Sequence, residues 1–123
     1  MIREKTALSL ELSADYQPIQ SLPMIKRYVF VYRFTLSNHT NEAWQLREQH
    51  WQITDTQTQL LLQEKTEIGS AGQQAWITEN TCFQAVSGLQ LETPRAYFSG
   101  RITLCNAQGD CQLIDSPTLL LSF

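Results

Sequence analysis

Between Tyr28 and Leu36 every second residue is large and apolar: Tyr28, Phe30, Tyr32, Phe34 and Leu36. Side chains alternate between the two faces of a strand, so this spacing makes one continuous aromatic stripe; a helix would scatter it around its axis. The run is therefore a β-strand with a core face. Asn38-His39-Thr40-Asn41 interrupts it with turn-prone polar residues. A second run extends from Trp44 to Thr54. Residues Tyr28 to Asp55 are expected to form a long hairpin, the spine of an all-β domain. Parity changes within the second run: Trp44 and Leu46 are even, Trp51 and Ile53 odd. Either both faces are partly covered or a bulge within Arg47–His50 shifts the register by one. The bulge is the simpler reading.

The remaining chain carries no apolar period of 3.6 residues over a helical length. Thr6–Ala14 is a first strand with Leu8, Leu10 and Leu12 on one face. Tyr16–Met24, with Pro18 and Pro23, is expected to run extended. After a polar turn at Thr54–Thr58, Gln59–Gln63 reads as a short strand closing a second hairpin. Glu64–Ala75 contains Gly69 and Gly72, alternates little and reads as a loop. Trp76–Val86 is the next strand, with Phe83 and Ala85, or else Cys82 and Val86, facing inward. Ser87-Gly88 is expected to turn, and Leu89–Pro94 to run extended. The strand through Ala96, Phe98, Gly100, Ile102 and Leu104 follows, and Cys111–Phe123 is the last. About seven or eight short strands with regular turn signals point to an antiparallel sandwich. Residues 1–123 are expected to form one domain.

Composition excludes several functions. Nine basic and twelve acidic residues leave a net charge of -3, and the basic residues do not cluster. A nucleic-acid partner is not expected, because such binding leans on Lys and Arg neutralising phosphates. No apolar stretch approaches the roughly 20 residues of a spanning helix, and the first thirteen residues lack the apolar run of a signal peptide. No membrane association and a cytoplasmic location are expected. Cys82, Cys105 and Cys111 make an odd count. Cys105 and Cys111 flank a turn-prone sequence, Asn106–Asp110, and could face each other across two strands. In a reducing compartment two free thiols are the favoured reading, ahead of a disulfide and of a zinc site. Asp110 with Asp115, Glu64 with Glu67, and Cys82 with His50 are the candidate catalytic pairs. No spacing makes any of them converge, and no serine-nucleophile motif is present.

A family resemblance rests on several stretches. Arg27-Tyr28-Val29-Phe30-Val31-Tyr32, Leu36-Ser37-Asn38 and His50-Trp51-Gln52-Ile53-Thr54-Asp55 supply the front half. Ser87-Gly88-Leu89-Gln90-Leu91-Glu92-Thr93-Pro94, Gly100, Gly109, Ile114 and Pro117–Ser122 supply the back half. Tyr16, Pro18 and Gln20 fit its opening. Together they resemble the bacterial ApaG family from about residue 6 to 123. The resemblance implies a fibronectin-III-like or immunoglobulin-like β-sandwich with no settled biochemical activity. Related domains attached to eukaryotic F-box and polymerase-interacting proteins look like interaction modules. The chain departs from the family in one loop. Members carry Gly-x-Gly-x-x-Gly after the His-Trp strand, but here the stretch is Glu64–Gln74, with only Gly69 and Gly72 and the wrong spacing. Glu64 and Glu67 would repel a phosphate, and a sandwich does not supply the helix N-terminus such loops lead into. No nucleotide site is carried over.

The expected function is a non-catalytic protein-interaction module with no cofactor, no bound metal and another protein as partner. Exposed sheet edges leave room for a homodimer. The candidate surface is Arg47, His50, Trp51, Glu64, Lys65, Glu67, Gly69, Gly72 and Trp76. The alternative is a binder of a phosphorylated small molecule or a divalent cation, linked to nucleotide or metal homeostasis.

Overall fold

The structure, a computed structural model, describes residues 7–69 and 75–122. Among them are nine strands: β1 (Leu8–Tyr16), β2 (Tyr28–Asn38), β3 (Trp44–Thr54), β4 (Leu61–Ile68), β5 (Trp76–Ile77), β6 (Thr81–Leu91), β7 (Arg95–Asn106), β8 (Cys111–Asp115) and β9 (Leu119–Ser122). One sheet has the order β1-β2-β6. The other has the order β4-β3-β7-β8, with β5 also paired to β3 and β9 also paired to β7. All pairings are antiparallel. Because β5 lies in line with β4 and β9 with β8, the second sheet is four strands wide. The sheets face each other across a core of large rings, an antiparallel β-sandwich of the fibronectin-III or immunoglobulin-like kind. No helix among the described residues is long and apolar enough to cross a membrane.

The aromatic stripe does what its spacing requires. Tyr28, Phe30, Tyr32, Phe34 and Leu36 are all buried. The expected hairpin, however, does not form. β2 pairs with β1 and β6, whereas β3 pairs with β4, β5 and β7, so the chain changes sheets at residues 39–43. Two strands that each carry one heavily apolar face bury more by stacking face to face than by lying side by side. Trp51 of β3 accordingly lies between Tyr32 and Phe34 of β2, at ring-centroid distances of 5.2 and 5.4 Å.

The buried Asn38 side chain ties this corner. Its Nδ2 donates to the carbonyls of Glu42 (2.9 Å) and Ile77 (3.0 Å), and its Oδ1 accepts from the Thr40 amide (2.9 Å) and hydroxyl (2.7 Å). Thr40 Oγ1 in turn accepts from Trp44 Nε1 at 3.1 Å. Asn38→Ala strands these groups in a place water does not reach. It is expected to cost about 2 kcal/mol of unfolding free energy, read by urea denaturation, with Asn38→Asp failing to restore it because the bonds donated by Nδ2 are lost.

The parity change in β3 is a bulge. Leu46 opposes Leu104, and the next opposed pair is Glu48 with Thr103, leaving Arg47 as the extra residue. Trp44, Leu46, Gln49, Trp51 and Ile53 thereby all face the core, and all are buried.

Five local expectations are corrected. Glu64–Ile68 is not a loop but the continuation of β4. It lies at a sheet edge, exposed on both sides, so no apolar alternation marks it. Ser87-Gly88 is not a turn but mid-strand, opposite Tyr32 and Val31. Trp76–Val86 is broken by a turn, in which Asn80 is left-handed (φ 58°) and Thr81 Oγ1 donates to the Thr78 carbonyl at 2.7 Å. Of the two alternatives for this segment, Phe83 and Ala85 pack on the core, while Cys82 is exposed. The last segment is interrupted at residues 116–118, where Pro117 has no amide to give a ladder and Ser116 instead donates its amide to the Gly100 carbonyl at 2.8 Å. Residues 17–27 are not extended either. They fold into a compact turn holding the 3-10 segment Pro23–Ile25.

Candidate functional site

The antiparallel register builds transverse rows on the outer face of the wider sheet. His50 is flanked by Thr66 of β4 and Arg101 of β7, and Arg101 is flanked by Asp115 of β8. In strands of common pleat, directly opposed residues share a face, so these four side chains form one polar row. His50 Nδ1 is 2.9 Å from Thr66 Oγ1, and its Nε2 is 3.3 Å from Glu64 Oε2. A neutral ring protonated at Nε2 satisfies both, donating to Glu64 and accepting from Thr66. On the other side of the row, Arg101 Nε donates to Asp115 Oδ1 at 2.6 Å and its Nη2 to Oδ2 at 3.3 Å. Beside His50 and the Arg101–Asp115 pair lies a shallow depression of about 490 Å³, lined by His50, Gln52, Ser99, Arg101, Asp115 and Ser116. Ser116 is fixed there because its Oγ accepts the Gly100 amide at 2.9 Å.

These charges are exposed, with 54% and 65% of the Arg101 and Asp115 side chains open to solvent. Exposed pairs of this kind contribute about 0–1 kcal/mol, so the row is not what holds the fold together. Its electrostatics are nevertheless defined. Hydrogen bonding from Arg101, aided by its charge, lowers the Asp115 carboxyl below the ordinary aspartate value, and the same contacts hold Arg101 protonated. Asp55, in the turn after β3, is also lowered, first by the Thr58 amide and then by the Gln57 amide. A depressed carboxyl stabilises the fold above its unfolded pKa, and that contribution is lost as pH falls through the lower folded value. Carboxyl ¹³C titration is expected to give Asp55 and Asp115 midpoints below the ordinary aspartate value. Arg101→Ala should return Asp115 toward it and leave Asp55 unmoved.

The structure places the nine candidate residues in different environments. Arg47, His50, Glu64 and Trp76 share the outer face. Arg47, at the bulge, donates from Nε to Gln45 Oε1 at 2.6 Å. Trp76 opposes Gln45 and is 49% exposed. Trp51 is not a surface residue. It is 1% exposed, stacked on Phe98 at 5.3 Å, because the bulge turns it toward the core. Lys65 and Glu67 oppose Trp51 and Gln49 and so lie on the inner side of β4. Lys65 spans the open seam between the sheets, 5.6 Å from the centroid of the Tyr32 ring and 3.5 Å from Ser87 Oγ. Gly69 ends β4 in a left-handed conformation (φ 61°), with its carbonyl accepting from Gln49 Nε2 at 2.6 Å and its amide donating to the Arg47 carbonyl at 2.8 Å. Gly72 lies outside the described residues.

The pairs considered for catalysis are not brought together. Cys82 is on the three-stranded sheet, His50 on the outer face of the other, and Glu64 and Glu67 are on opposite faces of β4. Gln52, Arg101 and Asp115 were not among the expected surface residues. A signal for the last two existed: if the β7–β8 hairpin turns at residues 107–110, then pairing Cys105 with Cys111 also pairs Arg101 with Asp115. Cys105 and Cys111 are in fact disulfide-bonded, contrary to the expectation of two free thiols. Direct opposition across a hairpin brings the sulfurs within bonding reach.

The fold and this exposed sheet face define a small immunoglobulin-like sandwich with a polar outer surface. The ApaG domain family model (DUF525) matches residues 18–106. The Protein ApaG of Shewanella pealeana is 33% identical over 107 residues, covering 85% of this chain and 81% of the relative. That of Aromatoleum aromaticum is 33% identical over 119 residues, covering 97% and 92%. A crystal structure of an ApaA protein from Bordetella pertussis superposes with a TM-score of 0.85 at 28% identity, covering 94% of this chain and 93% of that one. The chain belongs to the ApaG family.

Proposed function

We propose that the protein is a non-catalytic binding module that docks another protein on the outer face of its wider sheet. The observation that carries this reading is the row Thr66, His50, Arg101 and Asp115. Its two charges, Arg101 and Asp115, are paired with one another, exposed, and of little use to stability. At one end of the same face stands Trp76, a half-exposed indole of the kind that anchors interfaces. A paired charge costs less to bring into an interface than a lone one, because its partner stays beside it when a protein surface replaces water.

A second reading rests on the depression beside Arg101, which could receive a small phosphorylated ligand or a hydrated cation. Thermal unfolding with nucleotides, pyrophosphate, magnesium and cobalt distinguishes the two. A ligand at a hundredfold excess over its Kd adds about 2.7 kcal/mol of stability. A flat response across that panel is the result expected of a protein-binding module. A clear stabilisation abolished by Arg101→Ala would replace it with the second reading.

A further inference from the structure

We propose that Cys105 and Cys111 form a reversible redox site that exchanges with low-molecular-weight thiols and their disulfides through Cys111, the exposed member of the pair. The inference goes beyond the docking reading and does not depend on it.

Three observations carry it. The two cysteines differ in access: Cys105 is 2% exposed, whereas Cys111 is exposed. An attacking thiolate therefore meets one sulfur and not the other. The hairpin, moreover, is closed without the bond. The Asn106 amide donates to the Asp110 carbonyl at 2.9 Å, and the Gly109 amide donates to the Asn106 carbonyl at 3.1 Å. The Asn106 side-chain oxygen accepts the amides of Gln108 (3.1 Å) and Asp110 (2.8 Å), and Gly109 takes the left-handed conformation (φ 90°) the turn requires. Four residues along, Arg101 and Asp115 are opposed in the same register and form an ion pair. Opening the disulfide thus leaves both thiols opposed and ready to reclose. Finally, Cys82 lies on the other sheet, so the pair is left to resolve itself.

The reduction balances in two steps. A small-molecule thiolate attacks Cys111 Sγ, the protein S–S bond breaks, and its electron pair leaves on Cys105 Sγ, which takes a proton from water. A second thiolate attacks the small-molecule sulfur of the resulting mixed disulfide and releases Cys111 as a thiolate. Two thiols are oxidised to one disulfide as the protein disulfide is reduced to two thiols. The reverse path uses a small-molecule disulfide as oxidant, with Cys105 displacing the adduct from Cys111.

The test uses the full chain carrying Cys82→Ser, equilibrated in reduced and oxidised glutathione mixtures, with free thiols trapped by alkylation and counted by mass spectrometry. The expected result is full, reversible interconversion of disulfide and dithiol in protein whose urea midpoint shows it is folded. Adding Cys105→Ser should trap one glutathione adduct on Cys111, while adding Cys111→Ser should leave Cys105 unmodified until denaturant is present. A disulfide that opens only in denaturant would overturn the proposal, as would a pair that stays dithiol in oxidised glutathione or adducts appearing equally on both cysteines.

Discussion

Gly100→Ala is expected to lower the unfolding free energy by about 3 kcal/mol, at the upper end for overpacking a core, or to prevent folding altogether. Gly100 opposes Trp51 across the β3–β7 pairing, and the indole lies over it. An added Cβ would overlap Trp51 Cε3 and Cζ3 and sit 2.8 Å from Cδ2. The ring has nowhere to go, since Tyr32, Phe34 and Phe98 surround it. The cost is one of space, because Gly100 is not among the residues with positive φ. Trp51→Leu should therefore relieve it: in that background the same Gly100→Ala change is expected to cost less than half as much, a coupling read from a double-mutant cycle in urea. Equal costs in the two backgrounds would show that the clash is not with the indole.

Trp51→Ala is the other large effect, a loss of about 4 kcal/mol. Two terms add. The cavity left by the indole lies at the centre of the aromatic cluster, where neighbours on both sheets are already packed. The change also removes the Trp51 Nε1 bond to Gln49 Oε1 (2.9 Å), stranding an oxygen on a side chain that is 3% exposed. Trp51→Phe keeps most of the volume but not the donor, and should fall between the two. Trp76→Ala, on the exposed face, is expected to stay within about 0.5 kcal/mol of the parent. Equilibrium unfolding of the three variants separates the core tryptophan from the surface one.

The same residues show where sequence reading succeeds and where it stops. Alternation from Tyr28 to Leu36 specifies a strand and its core face, because side-chain direction is a local property of the backbone. The parity change across Arg47 locates the bulge for the same reason. Which strand pairs with which is not local: nothing in residues 28–55 distinguishes a hairpin from a corner between sheets until the partners β1, β6 and β7 are placed. Glu64–Ile68 was illegible as strand because an edge exposed on both sides has no apolar face to alternate. Lys65 and Glu67 thus read as loop charges, although they point to the inner side. The outer-face row was only half visible. His50 and Glu64 stand out as residue types, but their meeting depends on the β3–β4 register, and Arg101 with Asp115 on that of β7 and β8.

The docking reading is tested most directly by parallel affinity capture from the native cell, with quantitative mass spectrometry, using three folded forms of the chain. These are the parent, an outer-face variant (His50→Ala, Trp76→Ala, Arg101→Glu), and a control altered on the three-stranded sheet (Arg33→Glu). A protein retained by the parent and the control but lost from the outer-face variant is the predicted result. Retention of the same proteins by all three forms, or their loss from the Arg33→Glu control instead, would contradict it.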